Sequence, residues 1–372
     1  MTTPRSSWGV PVPVACAVAS CLAMLLGWQW DIQWHRCIGR DSTWTLPHVV
    51  IYISLAIAFV YASGMVLSYT WGRNKTAPAI KVLGFRGPSG AFVTLWGMFL
   101  QLTAIVFDDW WHRVYGLDVS VFSPPHALLA WGITIFYFGQ FMVVARYHNE
   151  QRELGSDRYR LPVLLIWGLF LAHLTIAVDP SYGPLAVRAK AFVISSATTF
   201  PFAIVLIQRY LRWRWAAAVS GGLYVLLMLF LMQLFQLFPA TPQFGPVYHE
   251  VERFFPPLFP MLLFIPGLAL AWMATTSLQQ RVRSAMIAGL AFVVTFNLAN
   301  WISSGVVVSS LGANRLFAGD VPASAFDPAP RPVPLVEFDL GSILSFVIAV
   351  FAASLLAWLA TFAGDWMRRV AR

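Results

Sequence analysis

Apolar runs about 20 residues long, the length that crosses the hydrocarbon core of a bilayer, recur along the chain with short polar breaks between them. They fall at about 10 to 28, 49 to 69, 90 to 107, 126 to 145 and 161 to 178, and again at about 191 to 208, 215 to 238, 257 to 275, 284 to 303 and 341 to 364. The pattern predicts an all-α, polytopic integral membrane protein of about ten transmembrane helices embedded in a lipid bilayer. Composition agrees, because 58% hydrophobic and 11% charged residues leave no stretch with the balance of a soluble domain. The first run, after Arg5, is of spanning length and a polar motif follows it directly, so it reads as a retained helix and not a cleaved signal peptide. Cys16 and Cys21 lie in that run and Cys37 stands alone beyond it, which gives neither a disulfide framework nor a CxxC metal site.

Charge sets the orientation. The net charge of +9 is scattered over short loops, which excludes a nucleic-acid-binding face. With the N-terminus inside, seventeen of the 25 Lys and Arg residues fall in cytoplasmic segments and eight outside. This bias places both termini in the cytoplasm of a multi-pass cell-membrane protein. Six of the seven histidines then lie at or near the outer face, His148 being the exception.

Two of the outer segments repeat each other. Asp31, Trp34, His35, Arg36, Gly39 and Asp41 recur at the same offsets as Asp108, Trp111, His112, Arg113, Gly116 and Asp118. The first copy closes on Pro47-His48 and the second on Pro125-His126, one residue later. Each copy sits between two apolar runs, so residues 1–145 read as two repeated membrane hairpins with Asp/His caps. Residues 146–372 add six further helices and a Pro-rich outer loop at about 304 to 340, whose composition suits a semi-rigid cover better than a folded domain.

If the first and third helices run on past their apolar cores, Asp31 and His35 share one helix face, as do Asp108 and His112. His48 and His126 each open the returning helix behind a proline, where proline is tolerated. The expectation is that Asp31, His35 and His48 converge on one point and Asp108, His112 and His126 on another. One carboxylate and two imidazoles suit copper, zinc or iron, with Asp41 and Asp118 placed to orient imidazoles from behind. The competing reading is a hydrogen-bonded helix cap in which Arg36 and Arg113 pair with Asp41 and Asp118. Identical spacing in two copies favours metal, because a cap does not need the same histidine twice.

The segment Asp108-x3-His112, with Trp111 before the histidine and Phe122-Ser123-Pro124-Pro125-His126 after it, resembles the copper-binding segment found in one membrane component of the particulate methane monooxygenase and ammonia monooxygenase family. That segment reads Asp-x3-His-x12-His with a Phe-Thr-Pro-x-His ending. Here the second copy has thirteen residues between its histidines, and the first keeps twelve but lacks the ending. The resemblance covers about 25 residues per copy and implies copper held by Asp108, His112 and His126. It also implies partner membrane subunits, on which substrate oxidation in that family depends.

Other polar clusters are weaker. His249, Glu250 and Glu252 lie in an outer loop without the Asp-x3-His spacing, and a solvated loop is the expectation. His173 and Asp179 flank an outer helix end, where a buried histidine is more often a packing residue. Few ionisable groups fall in mid-helix, which counts against the alternative of a metal-ion or proton-coupled transporter. A non-catalytic structural role within a membrane complex is the third reading.

Overall fold

The computed structural model describes the whole chain except residues 1–9, 40–41, 73, 75–76, 117–122, 179–188, 274–280, 329–339 and 371–372. The described residues form ten α-helices and one small hairpin. The helices are α1 Val12–Cys37, α2 Leu46–Thr70, α3 Ser89–Tyr115, α4 Pro124–Glu153 and α5 Arg160–Leu174, the last extended by a 3-10 turn at Thr175–Val178. They continue with α6 Ala189–Leu211, α7 Ala216–Phe235, α8 Phe264–Met273, α9 Arg281–Val308 and α10 Leu340–Val370. Strands β1 Ile80–Val82 and β2 Phe85–Gly87 pair antiparallel between α2 and α3. Nine of the described helices are long and apolar enough to cross a membrane, in keeping with a multi-pass all-α membrane protein.

The helices overrun their apolar cores where the sequence motifs lie. α1 reaches Cys37 and α3 reaches Tyr115, so each Asp-x3-His pair occupies the last turns of a helix. His35 and Arg36, and again His112 and Arg113, stand at a helix C-terminus, where positive charge complements the dipole. Gly116, at φ 90°, closes α3 by donating its N–H to the His112 carbonyl; this left-handed backbone is one that glycine adopts without a steric cost. α4 starts with Ser123 as N-cap, its hydroxyl accepting the His126 N–H, and with proline in the first turn. The eighth apolar run, expected from about 257, becomes helical only at Phe264. Pro256, Pro257 and Pro260 lack the N–H that a helix needs, so residues 254–262 stay irregular.

Contacts divide the chain into two compact units. The first comprises residues 1–25, 50–173 and 365–372. In it α3 and α4 approach until a methyl group on Gly97 would lie 2.4 Å from the Phe136 nitrogen and one on Gly139 would lie 2.4 Å from the Thr94 nitrogen. Small residues at such crossings let backbones touch, which is how helices associate in lipid without a hydrophobic driving force. Tyr137, Phe141 and Trp167 are fully buried around this crossing, and Ser54 reaches from α2 to the Ser20 carbonyl at 2.7 Å.

The second unit comprises residues 26–49 and 174–364. Phe192, Phe200, Phe292 and Phe296 stack between α6 and α9. At the end of α1 the chain is held by long-range bonds. The Gln243 N–H donates to the Ile38 carbonyl and the Ala325 N–H to the Arg36 carbonyl, at 2.9 and 2.8 Å. The Phe255 N–H donates to the Cys37 sulfur at 3.0 Å. The described part of the Pro-rich segment, residues 309–328, is a series of turns in which Ala318 and Ala325 are buried and residues 322–325 dock on this end of α1.

Candidate metal centre

The first triad lies wholly within the second unit. Asp31 and His35 are one turn apart on α1, and His48 stands in the first turn of α2. Asp31 Oδ1 faces both imidazoles, 3.2 Å from His48 Nε2 and 3.8 Å from His35 Nε2. The Asp31 and His48 side chains are about a quarter exposed, at 23% and 24%.

The second triad lies wholly within the first unit. Asp108 and His112 end α3 and His126 begins α4. His112 Nε2 is 3.3 Å from Asp108 Oδ2, and His126 Nε2 is 3.5 Å from Asp108 Oδ1. The structure therefore brings each predicted set of three side chains together, with the carboxylate between the imidazoles. Asp31 Oδ1 and Asp108 Oδ1 are both shielded from solvent.

The other ring nitrogen of one histidine in each triad is held from behind. His48 Nδ1 is 2.9 Å from the Ser42 carbonyl, and His112 Nδ1 is 3.2 Å from the Gly116 carbonyl. A carbonyl oxygen only accepts, so Nδ1 carries the proton in both rings. In a neutral imidazole this leaves Nε2 as a bare acceptor turned toward a carboxylate oxygen. Two acceptors facing each other at 3.2 to 3.3 Å repel unless a positive charge lies between them. A proton on Nε2 or a metal cation supplies it. Histidines that bind metal commonly donate their second N–H to a backbone carbonyl in this way. The donor set and its support thus fit a metal ion such as copper, zinc or iron. As the side chains stand, no group of three or more His, Cys, Asp or Glu among the described residues is arranged to hold one.

The arginines behave differently from the expected cap. Arg36 is 8% exposed and donates to Gln33 Oε1 at 2.6 Å and to the carbonyls of Ala323, Pro256 and Pro322 at 2.6, 3.0 and 3.1 Å. Arg113 is 76% exposed and pairs with Asp109, on its own helix, at 2.6 Å. Asp41 and Asp118, the expected partners, lie outside the described residues. Around the second triad Phe107, Trp110, Trp111 and Tyr115 form an aromatic cluster, with Trp111 and Tyr115 centroids 4.4 Å apart.

The remaining histidines have other settings. His173 is buried, with Nε2 2.9 Å from the Thr134 hydroxyl and its ring stacked on Tyr137. Since Thr134 donates to the Ala130 carbonyl at 2.8 Å, it accepts from His173, which makes this a packing histidine. Asp179, which the sequence places six residues beyond it, lies outside the described residues. His249 Nε2 donates to the Asp327 carbonyl at 3.0 Å, while Glu250 and Glu252 are exposed. This loop is tied to the Pro-rich segment and forms no third triad among the described residues.

Sequence reasoning missed the carbonyls of Ser42 and Gly116, the Thr134 partner and the tie made by Arg36. Backbone acceptors leave no trace in residue type. Gly116 alone was visible, as a repeated glycine. The chain matches no family model, no curated protein and no solved structure.

Proposed function

We propose that the chain is an integral membrane metalloprotein with two Asp/His/His sites, Asp31, His35 and His48 at one and Asp108, His112 and His126 at the other. The observation that carries this reading is the double hold on His48 and His112, each with Nδ1 on a carbonyl and Nε2 on the carboxylate. Charge-assisted N–H···O bonds run to about 2.7–2.9 Å, shorter than the 3.2 to 3.8 Å between imidazole and carboxylate here. Ligand atoms about 2.1 Å from a tetrahedral ion are about 3.4 Å apart, which matches that spread. Copper rests on the resemblance to the copper-binding segment of the methane and ammonia monooxygenases, while zinc and iron suit the same donors.

In this reading Asp31 and Asp108 supply the charged ligand that both imidazoles share. Ser42 and Gly116 fix the tautomer and ring angle of His48 and His112 through their carbonyls. When bound, the metal would supply Lewis-acid or redox chemistry at a position open to solvent on one side. The basic residues of the loops favour an outer-face location with both termini inside. The repeated cap also favours membership in, or kinship with, a copper membrane monooxygenase complex, acting with partner membrane subunits.

Elemental analysis of detergent-purified protein from metal-replete cells tests the reading. The wild type is expected to carry up to two equivalents, and a variant with His35, His48, His112 and His126 all changed to Ala none. A folded wild type without bound metal would leave two imidazolium–carboxylate clusters, a proton-handling site in place of a metal site.

A further inference from the structure

Beside the first triad, on the adjoining face of α1, lies a separate cavity of ≈ 40 Å³ within the second unit. Its polar lining is Gln29, Gln33, Arg36, Thr175 and Tyr224, and apolar side chains such as Met228 complete the wall. We infer that this cavity is a binding site for a small monovalent anion of halide size, held by Arg36.

Arg36 carries a full charge at 8% exposure, and buried charges in proteins are ordinarily paired with an opposite charge. Its bonding partners among the described residues are all neutral, three backbone carbonyls and the Gln33 amide oxygen, with the Phe255 ring 5.8 Å away. A guanidinium has five N–H groups. Nε uses one, Nη1 two and Nη2 one of its two, which leaves one Nη2–H. The cavity wall adds further donors. Gln29 and Gln33 are 6% and 1% exposed and both carry amide N–H groups, one of those of Gln33 donating to the Gln29 carbonyl at 3.3 Å. A cavity needs about 10–15 Å³ to hold one water. The space here therefore accepts a water or a halide. An anion there compensates the buried charge of Arg36, so its binding stabilises the folded chain. The site stands apart from the metal reading, because none of its lining residues belongs to either triad.

The test compares unfolding temperature in sodium chloride and in sodium gluconate at equal ionic strength, for the full chain in detergent with no added metal. The wild type is expected to unfold about 3 °C or more higher in excess chloride. Gln29→Glu places a carboxylate in the same cavity without touching the bonds that Arg36 makes. It is expected to fold and to lose the chloride dependence. Crystals soaked in bromide should show an anomalous peak beside Arg36 in the wild type and none in Gln29→Glu. Equal unfolding temperatures in the two salts, or a Gln29→Glu protein that keeps the wild-type chloride effect, would overturn the inference.

Discussion

Arg36 and Arg113 occupy the same offset in the two copies of the cap, yet one is buried against backbone carbonyls 220 and more residues away and the other lies in solvent against its neighbour Asp109. The carboxylate and two imidazoles between them keep nearly the same relation in both copies, with three of the four contacts at 3.2 to 3.5 Å. If the repeat served only to cap helices, the residue best able to tie down a helix end would be used alike in both. What the copies share is the Asp/His/His set and a histidine held through Nδ1. The shared feature is thus the set of side chains that the proposed metal site uses, whereas the two arginines have separate local partners.

The copies also differ in how the carboxylate divides itself. One oxygen of Asp31 faces both imidazoles, whereas Asp108 turns one oxygen to each. The carbonyl holds the second histidine in the first copy and the first histidine in the second. The extra residue of the second loop falls between Arg113 and Pro125, where residues 117–122 lie outside those described. The triad forms despite it.

Four substitutions separate the copies. Arg36→Ala should have the largest effect, about 3 kcal/mol or more in reversible unfolding, because it strips a charged donor from the buried Pro256 carbonyl, the half-buried carbonyls of Pro322 and Ala323, and Gln33. Gly97→Ala comes next. Its methyl would lie 2.4 Å from the Phe136 nitrogen, so α3 and α4 must part, at about 1–3 kcal/mol. Because His126 rides on α4 and Asp108 on α3, the metal content of the second site should fall in this variant while the first site keeps its own. Loss from both sites equally would show that the copies are not independent.

Ser123→Ala removes the N-cap that receives the His126 N–H at 3.4 Å. It should cost about 1 kcal/mol and weaken metal retention at the second site only, which metal titration of the two sites would read. Arg113→Ala should be the mildest, below about 1 kcal/mol, since an exposed i, i+4 pair is screened by solvent. Equal destabilisation by Arg36→Ala and Arg113→Ala would erase the contrast on which the comparison rests.

Most of the helical architecture was legible from apolar runs, because in lipid the backbone must satisfy itself within each segment. The overrun of α1 and α3 was legible from the Asp-x3-His spacing, which presents both groups on one face only if the helix continues. The ragged start of α8 was also written in Pro256, Pro257 and Pro260, but a hydropathy window averages prolines away. The β1–β2 hairpin was legible too, as alternation in Ile80-Lys81-Val82 around the Leu83-Gly84 turn, yet it is too short to stand out beside spanning helices. What no local pattern carries is the docking of residues 322–325 on Arg36, a contact across 286 residues and more that depends on how the helices assemble. The triads were legible in their side-chain types and opaque in their supports, since Ser42 and Gly116 act through carbonyls that every residue possesses.

Whether the two triads hold metal is decided by anomalous diffraction at the copper, zinc and iron edges on crystals of metal-replete protein. Two peaks for one element are expected, one among Asp31, His35 and His48 and the other among Asp108, His112 and His126. Absence of density at both places, with the imidazole–carboxylate contacts intact, would contradict it.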